Sequence, residues 1–515
     1  MSTFQGLELA RKALFAQQGA LYTTGHNIAN VNTEGYSRQR VNFETTTPFP
    51  VPSRVQPQFP GQMGTGVEIG TVQRVRNQFL DFQFRAENSK FGYWETKQAA
   101  LSRMEDLLNE PSENGLSKIM DQFWQSLQDL AGNPENSGAR SVVAQRGLAL
   151  AETFNHMSRS LQSIQADLRD QIENGSVKEI NSLLERINDL NGQIQKIEPH
   201  GFLANDLYDE RDRLIDQLSE HMNIKVHYRK SSESALDIAD GIASIELLDS
   251  TGNSFPEKVF LIDAREEVGG YNEISVQFDE GEGATELLSG ITIGEQIVFG
   301  DGATNVDFLN SIGSLTALIE AHGYLENGES KGEYPKMLAE LDRLAEEFAA
   351  AFNEVHRSGV NLEDEVARDF FVVKEGFDSI TAESLTVNED ILNNSNFIAA
   401  GDPSTGSRNG DNALELAKVF DKNIDGLESS PRKFFIALIG ELGVQGQKAQ
   451  GMKDSTEILK SQVENSRMSV SAVSLDEEIS NLIKFQHAYN AAARNMTAID
   501  EMIDRIINQM GLVGR

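Results

Sequence analysis

The chain has 515 residues, 39% hydrophobic and only 7% aromatic, with 45 basic against 79 acidic side chains for a net charge of −34. That length has room for about three or four domains of ~100–200 residues, and so strong an acidic excess disfavours nucleic-acid backbones or anionic lipid as partners. The absence of cysteine excludes thiol nucleophiles and disulfides, and fits either a cytosolic protein or one that works outside the cell without a disulfide step.

At the N-terminus, Met1-Ser-Thr-Phe-Gln-Gly6 has no basic segment leading into an apolar core, so it does not read as a cleaved secretory signal. Residues 4–30 read as a helix whose Leu7, Leu14, Leu21 and Ile28 recur every seven residues, flanked by Ala10, Ala13 and Ala20. A seven-residue period keeps one narrow seam toward one partner helix. Asn30-Val-Asn-Thr-Glu-Gly-Tyr36 ends it with turn residues. Five prolines between Pro48 and Pro60, followed by Gly61, Gly64 and Gly66, mark an extended joint. Residues 1–80 carry seven basic and four acidic side chains, so this arm is electrostatically distinct from the acidic remainder and suited to association with it.

Helices are expected over 93–109, 115–131 and, as one interrupted helix or two, 139–198 around Gly175. Ala204 to Leu218 is a highly charged helix with a narrow apolar stripe. At 222 the apolar period changes to two (Met222, Ile224, Val226, Tyr228; later Ile274, Val276, Phe278 and Ile291, Ile293), so 221–308 reads as a small β domain inserted into the helical body. Helix returns over 311–357, a β-like stretch lies near 367–390, residues 401–412 form a surface loop, and helices resume from about 411. A second seven-residue seam, Leu475, Leu482, Tyr489, Met496, Ile503 and Met510, closes the chain. Two such seams at opposite ends indicate termini that meet to build one domain.

Little of this carries reactive chemistry. The eight histidines are scattered, and surface or capping roles explain them better than a metal site. No nucleophile elbow, phosphate loop or zinc-binding helix motif occurs. Gly61-Gln-Met-Gly-Thr-Gly66 has the wrong spacing for a dinucleotide loop, and the many carboxylates are expected at solvated helix surfaces.

Leu21 to Gln39, with Asn27-Ile-Ala-Asn30, Asn32-Thr33, Gly35-Tyr36 and Arg38-Gln39, resembles the N-terminal signature of the bacterial flagellar rod, hook and hook-associated proteins. Phe485-Gln-His-Ala-Tyr489, with Ala492, Ala493, Met496 and Ile503, resembles its C-terminal counterpart. The body resembles the hook-associated branch of that family through Leu130-Ala-Gly-Asn-Pro134 with Arg140, Asn205 to Leu214, and Asn353 with His356 and Gly359.

The expected fold is α+β: an elongated, mainly helical multi-domain rod. Residues 1–45 with 470–515 form the terminal coiled-coil domain, 68–220 with 311–469 the helical body, and 221–308 the outer β domain. The resemblance implies a non-enzymatic structural subunit without cofactor, forming a ring of like subunits between hook and filament. Its implied neighbours are the hook protein and a second junction protein. Its implied route runs from the cytoplasm through the flagellar type III export apparatus, with a dedicated chaperone, to the extracellular flagellum, with no membrane insertion. Expected subunit-interface residues are Leu7, Leu14, Leu21, Ile28, Asn30, Asn32, Thr33, Gly35, Tyr36, Arg38, Gln39, Leu475, Leu482, Tyr489, Met496, Ile503 and Met510. Chaperone contacts are expected at Leu482, Tyr489, Met496 and Ile503. The turn at Asn30–Gln39 is expected to face neighbouring subunits rather than its own body. The rival readings are a different axial subunit, such as a hook protein or the second junction protein, and a surface hydrolase housed in 221–308.

Overall fold

In the computed structural model, the described residues are 3–50, 61–108, 115–264, 270–280, 286–301, 303, 306–363, 368–404 and 406–509. The architecture is a mainly helical, rod-like α+β fold. Helix α1 (Thr3–Ala29) leads into an antiparallel hairpin, β1 (Gln39–Thr45) with β2 (Val67–Arg74), in register from Gln39 opposite Arg74 to Thr45 opposite Val67. The body follows as α2 (Gln78–Leu108), α3 (Leu116–Gly132), α4 (Ser137–Asp170), α5 (Val177–Ile197) and α6 (Asn205–His221). The first of these begins fifteen residues before the expected 93, because Leu80, Phe82 and Phe84 recur at every second residue there, a spacing that does not mark a helix.

Between α4 and α5 the chain makes one π-helical turn, Gln171–Ser176. Its extra residue per turn explains the stripe: buried Leu168, Ile172, Val177 and Ile180 step by four, five and three, and only a widened turn keeps all four on one side. On α3, buried Leu116, Met120, Phe123, Leu127 and Leu130 form the corresponding helical stripe.

Two sheets follow. In one, β3 (Ile224–Arg229), β4 (Ile242–Leu247) and β5 (Phe260–Ile262) lie in order; in the other, β6 (Ile274–Glu280) pairs with β7 (Glu286–Ile293), which also carries β8 (Gln296–Phe299). After α7 (Ser314–His322) the hairpin β9 (Tyr324–Glu326) and β10 (Glu329–Lys331) joins that sheet through β7. The β region therefore extends past 308, and its Ile245, Leu247, Leu288 and Ile291 belong to one continuous buried cluster with helical residues. Then come α8 (Glu333–Ser358), β11 (Phe371–Val373) with β12 (Leu385–Val387), α9 (Glu389–Asn393), α10 (Asp411–Lys418), α11 (Pro431–Ser471) and α12 (Leu475–Asp504). The expected surface loop at 401–412 is tied down at both ends: Gly401 bridges Val360, and buried Asn412 donates to the Ala399 carbonyl at 2.7 Å.

The body centres on an aromatic cluster in which Phe123 meets Phe352, Phe370, Phe371 and Phe420, all fully buried. His356 lies beside Phe370, fully buried rather than at the surface. Its Nε2 accepts from the Ala399 backbone N–H at 3.0 Å, so Nδ1 donates to the Arg368 carbonyl at 2.6 Å and the ring is held neutral. Burial pushes its pKa from 6.5 down to about 4. A base whose folded pKa is depressed stabilises the fold above its unfolded pKa and loses that contribution as pH falls toward the folded one. Urea titrations should therefore show stability falling by about 2 kcal/mol between pH 7 and 5 from this group, and about 3 kcal/mol by pH 4. The loss should shrink in His356→Gln; an unchanged pH slope in that variant would assign the loss elsewhere.

Candidate assembly surface

Helices α1 and α12 pair antiparallel: Gly6 faces Ile499 at one end, and Asn27 meets Glu478 at the other. A Cβ at Gly6 would lie 3.2 Å from Ile499 Cδ1, and one at Gly19 would overlap Ile69 of β2. The buried stripe of α1 is made of small residues, Ala10, Ala16 and Ala20, which let helix and hairpin approach closely. The heptad residues sit beside it: Leu7, Leu14, Leu21 and Ile28 are half-buried, as are Leu482, Tyr489, Met496 and Ile503, while Leu475 is exposed. Met510 lies outside the described residues. The seams thus face partly into the pair, and a second set of apolar side chains is left facing out. Phe4, Phe15 and Tyr22 project from α1, and Ile479, Ile483 and Met502 from α12, with Ile506 on the π-helical turn that follows it. Periodicity alone did not separate these two sets, because on a straight helix they lie within about one residue's rotation of each other.

The Asn30–Gln39 turn is bound to its own subunit, contrary to the expectation that it would face only neighbours. Tyr36 Oη donates to Asn27 Oδ1 at 2.8 Å and lies 3.0 Å from His26 Nδ1. Asn27 also accepts from the Gln39 N–H at 3.0 Å and donates to the Gln39 carbonyl at 2.8 Å. Ser37 N–H donates to Asp209, and Gln39 Nε2 to Asp206, both at 3.0 Å, so the turn docks on α6. Arg38 reaches the opposite way: its N–H donates to the Ser471 carbonyl at 2.8 Å and its Nε to Glu478 at 2.9 Å. Gly35, at φ +78°, makes the left-handed step that returns the chain, with Arg213 packed against it. Asn32, Thr33 and Gly35 stay exposed; Asn30 caps the end of α1 by donating to the His26 carbonyl at 3.0 Å. Burial, then Asp206, Asp209 and Glu478, push the Tyr36 phenol well above its usual range, so it remains a donor. Tyr36→Ala leaves Asn27 short of a partner and should cost about 1–3 kcal/mol; an unchanged unfolding midpoint would return this turn to the role of a free surface.

Beneath the turn lies a buried charge cluster where surface carboxylates had been expected. Asp209, Asp212 and Asp216 share one face of α6 by their three- and four-residue spacing. Arg74, ending β2, donates to Asp209 at 2.7 Å and Asp212 at 3.0 Å and also pairs with Asp240. Arg76 donates to Asp81 at 2.8 Å, Arg85 to Asp216 at 2.7 Å and to Asp212 at 3.3 Å, and Arg467 of α11 pairs with Asp216. Tyr228 Oη donates to Asp212 at 3.0 Å. Burial alone would raise the Asp212 pKa, but Arg76, Arg74, Arg85 and Arg211 outweigh it and hold the carboxyl far below its ordinary range. The cluster joins the terminal arm, α2, α6 and α11 in one electrostatic knot. It can fix the angle between arm and body, and no reactive chemistry follows from it. Among the described residues, no group of three or more His, Asp or Glu side chains is placed to hold a metal ion, and no helix is long and apolar enough to cross a membrane.

Three families match parts of the chain: the flagellar hook-associated protein FlgK helical domain over residues 101–371, the flagellar basal body rod FlgEFG protein C-terminal family over 464–510, and the flagella basal body rod protein family over 7–36. Flagellar hook-associated protein 1 of Bacillus subtilis is 44% identical over the full length of both chains. That of Escherichia coli is 25% identical over 97% of this chain and 98% of its own. The flagellar hook junction protein FlgK from Burkholderia pseudomallei shares the fold at a TM-score of 0.56 and 12% identity, covering 76% of this chain and all of the other.

Proposed function

The chain belongs to the flagellar hook-associated protein 1 family, a structural component of the bacterial flagellum, and from that premise we propose how it is used. It forms a ring of like subunits at the junction of hook and filament, contacting the hook protein on one side and a second junction protein on the other. Residues 1–45 with 470–515 form the axial terminal domain, 68–220 with 311–469 the body, and the 221–308 segment lies toward the outside. The observation that carries this reading is the two-sided α1–α12 pair. One apolar face holds the two ends of the chain together, and the other, from Phe4 to Tyr22 and from Ile479 to Ile506, is left for neighbouring subunits.

The same outward face on an unassembled subunit attracts indiscriminate partners. It therefore suits capture by an export chaperone in a helix-in-groove mode before passage through the type III export apparatus. Of the expected interface residues, exposed Asn32, Thr33, Gly35 and Leu475 are free to meet a neighbour directly. Leu7, Leu14, Leu21, Ile28, Leu482, Tyr489, Met496 and Ile503 do so along their uncovered edges, and Asn30, Tyr36, Arg38 and Gln39 set the geometry of the turn. Cells lacking the protein should build hooks and shed filament subunits into the medium, read by electron microscopy and by immunoblot of culture supernatant. Normal filaments on such cells would overturn the assignment.

A further inference from the structure

An asparagine followed by glycine is prone to spontaneous cyclisation, because glycine leaves its backbone nitrogen unshielded by a side chain. The chain has five such pairs: Asn114-Gly115, Asn174-Gly175, Asn191-Gly192, Asn327-Gly328 and Asn409-Gly410. Asn114 lies outside the described residues, and three of the other four are held. Asn174 sits in the π-helical turn, where its amide donates to Asp170 at 2.7 Å and accepts from Lys178 at 2.6 Å. Asn191 is fully buried on α5. It donates to the Ala243 carbonyl at 2.9 Å and accepts from the Ala243 N–H at 3.1 Å and from Arg211 at 3.2 Å. Asn409 accepts from the Asp402 and Asp411 N–H groups at 3.0 and 3.1 Å and donates to the Gly406 carbonyl at 2.8 Å. In each of these the amide must leave its partners before its carbon can be attacked.

Asn327 has none of these restraints. It and Gly328 form the two-residue turn of the β9–β10 hairpin, with Glu326 opposite Glu329. Both turn residues are exposed, at φ +55° and +83°, the left-handed pair that such a turn favours. Among the described residues the Asn327 side chain makes no hydrogen bond, and no atom lies within 4 Å of the place a Cβ would take at Gly328. The root of the hairpin is fixed, with Tyr324 paired to Leu288 and its ring against Phe299. The tip is not. All of β10 is exposed, Glu326 and Glu329 are like charges directly opposed, and Lys331 pairs with Glu326 only at the surface, where an ion pair contributes little. Opening such a tip costs little free energy.

We propose that Asn327 is a deamidation site, where the hairpin gains a carboxylate and an isoaspartyl linkage as the protein ages. The Gly328 nitrogen attacks Cγ of Asn327. A C–N bond forms, the Cγ–Nδ2 bond breaks, and the Gly328 amide proton leaves with Nδ2 as ammonia. Water, the sole co-reactant, opens the five-membered imide at either carbonyl to give aspartate or isoaspartate. The new charge falls between Glu326 and Glu329. Isoaspartate also adds one carbon to the backbone of a turn whose length sets the register of the hairpin, so the pairing of Glu326 with Glu329 is lost and Lys331 is released. The step goes beyond the ring reading and does not depend on it.

Folded full-length protein, incubated for weeks at mildly alkaline pH, is mapped by mass spectrometry, with isoaspartate counted by enzymatic methyl transfer. Isoaspartate should accumulate at 327 at least tenfold faster than at 174, 191 or 409. Asn327→Gln, which would need a six-membered imide, should remove that signal with circular dichroism unchanged. In guanidinium chloride the four sites should react at similar rates, since it is the fold that separates them. Equal or faster reaction at 174, 191 or 409 in the folded protein overturns the proposal, and so does an order that persists in denaturant. Trypsin should cut after Lys331 faster in aged protein than in fresh. An unchanged rate in material that carries isoaspartate at 327 overturns the release of the hairpin.

Discussion

Asp212→Ala should lower the unfolding free energy by about 3–5 kcal/mol, the scale expected when one partner is removed from a buried charge network. The change leaves Arg74 and Arg85, both almost fully buried, without the carboxylate that both contact, and removes the acceptor of the Tyr228 hydroxyl. The loss is larger than for a single ion pair because one buried carboxylate serves Arg74, Arg76 and Arg85 at once. Urea denaturation followed by circular dichroism measures it directly. Asp237→Ala, at a surface pair with Lys230, should leave the midpoint where it is. If both substitutions behave alike, the cluster is solvated and does not hold the arm. The acid limb of the stability curve tests the same point. A carboxyl held below its ordinary 3.8 stabilises the fold above that pH and loses the contribution as pH falls further. Asp212→Asn should therefore flatten the curve below pH ~4.

The second large effect concerns assembly rather than stability. Phe15→Asp with Ile483→Asp places charge on the outward face of the α1–α12 pair, at side chains 62% and 48% exposed. The isolated subunit should unfold within about 0.5 kcal/mol of the parent, as exposed substitutions usually do. In cells the same chain should fail to restore filaments to a deletion strain, and its pull-down of the export chaperone should be lost. Leu482→Asp with Ile503→Asp should differ: those side chains are half-buried in the pair, so stability and partner binding should fall together. Restored filaments in the Phe15/Ile483 variant would show that the outward face is not an interface.

The sequence by itself was enough to establish the helical character of both termini, their pairing, and the family, because each rests on local spacing: a seven-residue seam, a turn rich in Asn and Gly, and contiguous motifs such as Asn27 to Gln39. The helices expected over 4–30, 115–131 and 204–218 stand at Thr3–Ala29, Leu116–Gly132 and Asn205–His221, read from apolar period and turn residues for the same reason. The start of α2 did not, since its first turns present Asp81, Arg85 and Asn88 to other elements rather than an apolar face. Nor was the strand pair β4–β5 visible, because β4 is buried on both faces and shows no alternation.

What only the tertiary structure decided is which of the many charges are buried and which apolar residues are left out. Asp212 and the neighbouring carboxylates of α6 look alike in the sequence. Asp212 becomes a structural anchor because β2 and α2, more than a hundred residues earlier in the chain, deliver Arg74 and Arg85 to it. Likewise Tyr36 and Gln39 turn inward because Asn27, Asp206 and Asp209 are there to satisfy them. Local spacing specifies a helix and its stripe; the partner that covers the stripe, or neutralises a charge beside it, is supplied by distant chain, and no local pattern encodes that meeting.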